Sequence, residues 1–533
     1  MARFKDMPMD PAQMVLYASS VDEALPADSD VRIFRDMMDC LDYSGLISKC
    51  SSTGRPPYHP EIMAKILGYA YSKGIRSSRQ IEQMLYVDVR LIWLAGGLKP
   101  DHNTIARFRK ESGKELGLLF KDSVRLCCEA GLVYLNAVAT DGSKIQSAAS
   151  KKSVYSQSKL DRALGRVDKI LQEAEEADLA EDELYGSGNG NSNDLPKNLR
   201  DARSRKAKLE NIANRLKETD RSSVVDTDAD ARVMMTTQGK RPCYNLQASV
   251  DAANQVIVAM ELTRDENDRG KLPEMTQQVE SNTGLSPDLS LTDCGYGNED
   301  TIQWAEDNNY DVLMPFQEQP QESARNDLFC SKCFLPDGNN GEDALICPAG
   351  RKLTFRGIDR TGSGNYRRYC ANGCQSCSFY RQCVPKGRGS RRVNISVVAD
   401  QRKAMREKLQ SPEGKAKYAL RQQTVEPVFG QIKSNLGLDR FLCWGIAGAS
   451  AEVALACLAH NIVKCAANAL AHAFVASISA ALYIQMLQAE VLARLCYIHK
   501  MENRRIISIG SILWVPGFET ACELPKHRGL VLI

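Results

Sequence analysis

The stretch NAVATDGSKIQSAAS, residues 136–150, runs a short apolar segment straight into an aspartate, a glycine and a lysine. Val138, Ala139 and Thr140 read as the last residues of a buried strand, which leaves the carboxylate of Asp141 at the strand's mouth. A second stretch, LSLTDCGYG at 289–297, repeats the arrangement with Asp293. Both aspartates are expected at the carboxyl ends of their strands, the edge where open α/β sheets bind ligands. Brought close, two such carboxylates repel each other unless a cation neutralises them, and hard oxygen ligands of this kind suit Mg²⁺ or Mn²⁺. A divalent cation so held can activate a water or hydroxyl and stabilise a leaving oxygen in phosphodiester chemistry. The competing reading makes each aspartate a turn or cap residue, since Asp-Gly is a turn signal in its own right.

A third carboxylate comes from AKYALRQQTVEPVFGQIKSNLGLDRF, residues 416–441. Glu426 and Lys433 are seven residues apart and share a helix face, pairing a metal ligand with a phosphate contact. Pro427 disfavours helical geometry at the residue before it, so Glu426 is expected at a kink or at a new helix start. A solvated helix face is the alternative. Between 381 and 440 there are fourteen Lys and Arg against five Asp and Glu. That excess of nine positive charges is where polyanion binding is expected to concentrate.

The surrounding sequence supplies the frame. Residues 59–112 read as several short helices: Ile62, Ile66, Leu67 and Ala70 recur at helical spacing, GIRSS makes a turn with a serine cap, and KPDHN precedes a helix opening at Thr104. On that last helix Arg107 and Lys110 share a face, with Arg109 further round, as a helix entering a DNA groove carries them. A solvated basic face gives the same pattern. Residues 151–222 read as two charged amphipathic helices joined by the Gly/Asn-rich YGSGNGNSNDLP. YNLQASVD and QVIVAMELT then form a hairpin, followed by a helix KLPEMTQQVESN, the Asp293 strand, a helix from Asn298 to Asn308 and a strand YDVLMPF. The sum is a mixed α/β sheet covered by helices.

A chain of 533 residues with 43% hydrophobic side chains has room for about three domains, and a net charge of +3 is too mild to announce nucleic-acid binding by itself. The N-terminal MARFKDMPMDPAQM places acids and prolines where a secretory signal needs an apolar core, so a cytoplasmic protein is expected. Cys465 to Ala489 carries no charge but is interrupted by Asn468, His472, Ser477, Ser479, Gln485 and Gln488, and a buried Ala-rich helix is expected there, with no membrane partner. Seven of the 18 cysteines crowd into 330–383, a pattern that suits a local metal site in a reducing compartment.

At these residues the chain resembles a DDE transposase of the bacterial insertion sequences. The resemblance runs through GRPPYHPEIMAKILGYAYSKGIRSSRQIE, PDHNTIARFRKE, ATDGSKIQSAAS, DTDADARVM, YNLQASVD, LTDCGYG, VEPVFGQIK and EVALACLAHNIVK, in order, over roughly residues 5–465. It implies an N-terminal helical DNA-binding domain at 1–130 and a ribonuclease-H-like catalytic domain at 131–465. The catalytic domain would carry a charged helical insertion at 151–222 and a Cys-rich insertion at 325–395, leaving a C-terminal extension at 466–533 without a readable motif. Asp141, Asp293 and Glu426 would be the catalytic acids and the ligands of Mg²⁺ or Mn²⁺. A Tyr, Arg, Glu, Lys signature around the third acid is approximated by Tyr418, Arg421, Glu426 and Lys433, with an Arg-to-Glu gap one residue longer than usual. Tyr418, Arg421 and Lys433, with Lys144, Arg107, Arg109 and Lys110, are the expected DNA contacts. Asp226, Asp228 and Asp230 are rival carboxylates, read as a solvated or capping run. Cys347, Cys374, Cys377 and Cys383 resemble the group's cysteine pattern and could hold a structural Zn²⁺, with Cys330, Cys333 and Cys370 as extras. Such an enzyme would act near the nucleoid on terminal inverted repeats and target DNA, as a homodimer during synapsis. A non-catalytic DNA-binding descendant and a metal-dependent nuclease that cuts without joining are the other readings.

Overall fold

A computed structural model describes residues 20–50, 57–185, 197–219, 221–316, 329–330, 333–337, 343–361, 364–384 and 389–471. Residues 186–196 of the expected linker YGSGNGNSNDLP and the part of the C-terminal extension beyond 471 lie outside the described residues; the linker's first residue, Tyr185, ends a helix.

The central sheet is built on two long strands, β1 (Val138–Gln146) and β5 (Gly239–Asp251), paired antiparallel over nine residues from Val138↔Asp251 to Gln146↔Cys243. β5 turns back into β6 (Ile257–Thr263) as the expected hairpin and also pairs with the short β4 (Arg232–Thr236). On the other side β1 runs parallel to β7 (Ser290–Thr292), which runs parallel to β8 (Val312–Leu313). The order β6-β5-β1-β7-β8, with β5 antiparallel to both of its neighbours and a helix in each later crossover, is the ribonuclease-H-like arrangement. The crossovers are α10 (Lys271–Thr283) and α11 (Glu299–Asp307), and Asn298 caps α11 by accepting from Thr301 N at 2.6 Å. β5 is buried from Pro242 to Asp251 because both of its faces are covered; Tyr244, Leu246, Ala248 and Val250 are apolar and fully enclosed.

Among the described residues, seven helices lie before the sheet, α1 (Asp30–Asp39), α2 (Ser44–Ser48), α3 (Pro60–Ser72), α4 (Ser78–Val87), α5 (Val89–Leu94), α6 (His102–Glu111) and α7 (Gly113–Glu129). α6 begins two residues before the predicted Thr104, because Asp101 caps it by accepting from Thr104 N at 2.8 Å. The helical part and the sheet share one hydrophobic core, running from Phe34 and Leu67 through Leu119 and Ala139 to Leu455. A helix of residues Gly445–Ala471 is long and apolar enough to cross a membrane, but its most apolar stretch is 78% buried in the protein. Its Asn461 exchanges hydrogen bonds with the backbone of Ile257, closing the edge of β6.

A second tie between the two parts is ionic. Arg76, after α3, donates to Glu452 at 2.9 Å and to the Arg440 carbonyl at 2.9 Å, while the fully buried Glu452 also accepts from Leu442 N and Cys443 N.

The two insertions fold separately. α8 (Gln157–Tyr185) and α9 (Lys197–Glu218) pack around Leu160, Val167, Leu209 and Ile212, with Lys206 paired to Asp168 at 2.7 Å. The chain enters and leaves this helical pair through a two-stranded ribbon of β2 (Val154–Ser156) and β3 (Ser223–Val225). The Cys-rich segment makes a five-stranded antiparallel sheet of β9 (Leu335–Pro336), β10 (Ala344–Ile346), β11 (Lys352–Thr361), β12 (Gly364–Ala371) and β13 (Arg392–Ser396). It is tied to α11 by the buried Glu299, which accepts from Asn365 N and Ser396 Oγ.

Candidate catalytic centre

Strand register creates the centre. The parallel ladder of β1 and β7 ends at Thr140↔Thr292, so the next residues, Asp141 and Asp293, leave it side by side. Asp141 is not at a strand end as predicted, however. β1 continues to Gln146 because β5 is long enough to pair with it throughout, and only the β7 side of Asp141 is open.

Asp141 is part-buried and ion-paired with Arg421 Nη2 at 2.8 Å. Burial nevertheless pushes its carboxyl up to about 6; Arg421 opposes the shift, Asp293 adds to it, the Gly142 N–H opposes it, and Asp268 adds again. One guanidinium therefore does not offset desolvation and two neighbouring carboxylates. Asp293 holds the turn after β7 by accepting from Gly295 N at 2.7 Å. Tyr296, buried in the same turn, donates to Gln247 Oε1, and burial, followed by the charges of Asp268, Asp141 and Asp293, holds its phenol well above its usual range.

Glu426 lies on the helix Pro412–Gly430, which passes through Pro427 without a break and continues into a π turn at Gln431–Asn435. The predicted new helix start at Glu426 does not occur. Proline's missing N–H is tolerated there, and the irregularity appears downstream as the wide turn. From the same helix, Tyr418 donates to the Thr292 carbonyl at 3.2 Å and Arg421 reaches Asp141. Glu426 follows Arg421 by five residues, roughly 140° round a helix. Its side chain is exposed and accepts from Gln422 at 3.3 Å. The geometry thus brings together Asp141, Asp293, Arg421 and Tyr418, and leaves Glu426 at the rim. As placed, no three His, Cys, Asp or Glu side chains among the described residues could hold one metal ion. The buried oxygen donors, with more negative than positive charge, do fit a hard divalent cation in their chemistry.

Further along β1, Lys144 and Lys433, with Arg241, stand near Cys243; burial raises that thiol to about 11 and the three cations oppose the rise. Burial lowers the Lys433 ammonium, with Cys243 and then Asp141 working against it. Several cations of the 381–440 excess are already engaged: Lys408 with Asp311, Lys417 with Glu413, and Arg440 with the Ser147 and Ala148 carbonyls.

On α6, Arg107 and Lys110 are exposed, as a DNA-facing pair requires. Arg109 is not available to DNA, which corrects its assignment. It is 4% exposed and donates to Tyr71 Oη at 3.1 Å and the Arg76 carbonyl at 2.8 Å. Of the DTDADA acids, expected to be solvated or capping, Asp226 and Asp230 are half-buried and only Asp228 is enclosed. Asp228 is buried and accepts from Tyr244 Oη at 2.7 Å, Asp226 pairs with Lys208, and Asp230 accepts from Ile446 N and pairs with Arg264.

Cys347, Cys374, Cys377 and Cys383 line one small apolar chamber with Phe334 and Tyr380 among its neighbours. Burial raises the Cys383 thiol, Arg391 opposes, and Cys374, Cys347 and Cys377 add to the rise. Backbone N–H groups of Arg351 and Arg391 donate to Cys347 Sγ (3.3 Å) and Cys374 Sγ (3.4 Å). Cys330 and Cys333 form a separate thiol pair, 3.4 Å apart.

Asp268 is the site residue that sequence reasoning missed. It sits in the acidic turn DENDRG between β6 and α10, and accepts from Asn245 Nδ2 at 2.7 Å and Gln247 Nε2 at 2.5 Å. The signal available was the pair Asn245 and Gln247, two amides on the buried strand YNLQASVD.

A mixed α/β sheet with two adjacent acids at the end of its parallel ladder is what a DDE transposase domain is expected to contain. Two family matches agree. The family described as "Transposase DDE domain" matches residues 346–466, which include Glu426 and the four chamber cysteines. "Transposase domain (DUF772)" matches residues 19–111, the helical part through α6. Together they support a DDE transposase of an insertion sequence. No curated protein matches the chain.

Proposed function

We propose that the protein binds the ends of its own mobile element, cuts DNA there, and joins the freed 3′-hydroxyls to target DNA. The observation that carries this reading is the side-by-side exit of Asp141 and Asp293 beyond Thr140↔Thr292, with one guanidinium against the carboxylates. Asp141, Asp293 and Glu426 would hold Mg²⁺ or Mn²⁺, Glu426 swinging in from the rim. A divalent cation there supplies activation of the attacking oxygen and stabilisation of the leaving one. Arg421 favours the ionised form of Asp141 and orients it, Tyr418 fixes the Asp293 turn through Thr292, and Lys144 and Lys433 offer phosphate contacts along β1. Arg107 and Lys110 would grip the element's end from α6. The four chamber cysteines would hold a structural Zn²⁺ that rigidifies the inserted sheet. Synapsis of two ends calls for a dimer, and the substrate puts the protein at the nucleoid.

The test incubates the full chain with a duplex bearing an element end and a second, unrelated duplex, with Mg²⁺ or with EDTA. Expected are Mg²⁺-dependent nicks and covalent products linking the two duplexes. Nicks without joined product would make it a nuclease; binding with neither would make it a DNA-binding descendant.

A further inference from the structure

The helices that carry Arg107 and Lys110 are docked directly on the segment that carries Lys433. Gly74 ends α3 with φ +73°, where Gly74 N donates to the Tyr71 carbonyl at 2.9 Å and Ile75 N to the Ala70 carbonyl at 2.9 Å. A Cβ on Gly74 would lie 2.6 Å from the carbonyl oxygen of Asn435, the last residue of the π turn around Lys433. Facing it across the contact is Gly437, whose own Cβ would lie 3.7 Å from Arg76 Nε and 3.8 Å from the Gly74 carbonyl oxygen. Gly113, where α6 gives way to α7, makes another close approach: its Cβ would lie 3.2 Å from the Ala447 carbonyl oxygen. The buried Arg76 donates across the same contact to the Arg440 carbonyl, and Arg440 bridges to Gln146 at the end of β1. From the other side Arg109, on α6, donates to the Arg76 carbonyl. An unbroken path of hydrogen bonds thus runs from α6 through Arg109 and Arg76 to the strand of Asp141.

We propose that this docked turn, residues 74–76, decides which bond is cut: it holds α6 at one distance and angle from the catalytic centre, so the cut falls a fixed number of base pairs from the sequence that α6 contacts. The proposal rests on the reading of α6 as the DNA-facing helix and of Asp141 and Asp293 as the cutting centre. A recognition unit on a flexible linker samples many distances from the chemistry and leaves the choice of bond to the sequence at the cut. Here backbone meets backbone at Gly74 and Asn435, where no side chain can yield. Shifting the α6 contact by one base pair moves the scissile bond by about 3.4 Å along the duplex and about a tenth of a turn around it. A misplacement of about 1 Å already costs on the order of 100-fold in rate. Gly74 and Arg76 are therefore positioning residues, acting through Asn435 and Arg440.

The experiment uses the full chain with Mg²⁺ and maps nicks at nucleotide resolution on an end-bearing duplex. Beside it run duplexes with one or two base pairs inserted between the cut and the sequence that α6 protects. Nicking at the original junction is expected to fall by about 100-fold or more on both, with the remaining nicks displaced by the inserted length and binding unchanged. Undiminished nicking at the original junction on either inserted duplex overturns the proposal. Gly74→Ala drives a Cβ into the Asn435 carbonyl and is expected to spread the nicks of the unaltered duplex over neighbouring positions, with binding retained. Gly131→Ala, strained at φ +67° but with nothing within 4 Å of its Cβ, is expected to keep a single nick position. Arg76→Lys, which keeps a charge beside Glu452 but loses the reach to Arg440, is expected to spread the nicks as Gly74→Ala does. A single unmoved nick in whichever of these two variants folds also sinks the idea. If the unaltered duplex is not nicked at all, the transposase reading itself fails; if it is nicked but the insertions are ignored, only the fixed offset does.

Discussion

Two ionic groups in this chain, one buried and one half-buried, are satisfied in opposite ways. Glu452, fully enclosed, meets Arg76 and two backbone N–H groups, so its charge is matched and both oxygens are bonded. Asp141 meets Arg421 but also feels Asp293 and Asp268, and its carboxyl is driven up rather than down. The first arrangement is closed and joins the helical part to the segment after the Glu426 helix. The second is left in negative excess and asks for another cation. Burial of charge alone does not mark a functional site; burial of unbalanced charge does.

The sharpest way to break this comparison is to remove one charge from each group. Asp141→Asn is expected to leave folding and DNA affinity intact while metal-dependent nicking of an end-bearing duplex falls by more than roughly 100-fold. Asp293→Asn and Glu426→Gln are expected to do the same. Glu452→Ala, which leaves the Arg76 charge without its carboxylate, is expected to destabilise the protein by roughly 3–5 kcal/mol, read as a drop in the denaturation midpoint, with nicking per folded molecule unchanged. Normal nicking by Asp141→Asn would reduce the aspartate to a structural ion-pair partner of Arg421.

Much of the frame was legible because it rests on local signals. The β5–β6 hairpin, α10, α11 and the end of the β7 strand just before Asp293 follow from periodicity and turn chemistry. What was not legible depends on partners distant in sequence. Whether β1 stops at Asp141 is decided by the length of β5, far along the chain. Arg109 looks like its neighbour Lys110 until Tyr71 and the Arg76 carbonyl enclose it, and Asp228 looks solvated until Tyr244 covers it. Asp268 sits in a charged turn that reads as surface, and only the amides of Asn245 and Gln247 hint that a charge is drawn inward.

The inserted sheet offers an intermediate case, a cluster whose missing partner would be a metal rather than a side chain. If Cys347, Cys374, Cys377 and Cys383 hold zinc, purified protein is expected to carry about one zinc per chain. Chelation should open residues 330–383 to protease while α7 and the central sheet keep their resistance. Metal-free protein with the same cleavage pattern would make these four ordinary buried thiols.

The smallest effect is expected on α6, where the same contrast recurs within one turn of helix. Arg107 and Lys110 are exposed and make no ion pair among the described residues, whereas Arg109 is enclosed by Tyr71, Ser78 and the Arg76 carbonyl. Each neutralised phosphate contributes about 0.9 to the slope of log affinity against log salt concentration. Replacing Arg107 and Lys110 with glutamine should therefore weaken binding to an element end and flatten that slope by about 0.9 for each phosphate no longer neutralised, with the denaturation midpoint unchanged. Arg109→Gln should behave in the opposite way, because it leaves Tyr71 and a buried carbonyl without their donor: a lower midpoint and the same slope among the molecules that remain folded. If Arg109→Gln flattened the slope and the exposed pair did not, the burial of Arg109 would not describe the DNA-bound protein, and the division between structural and DNA-facing cations on this helix would be reversed.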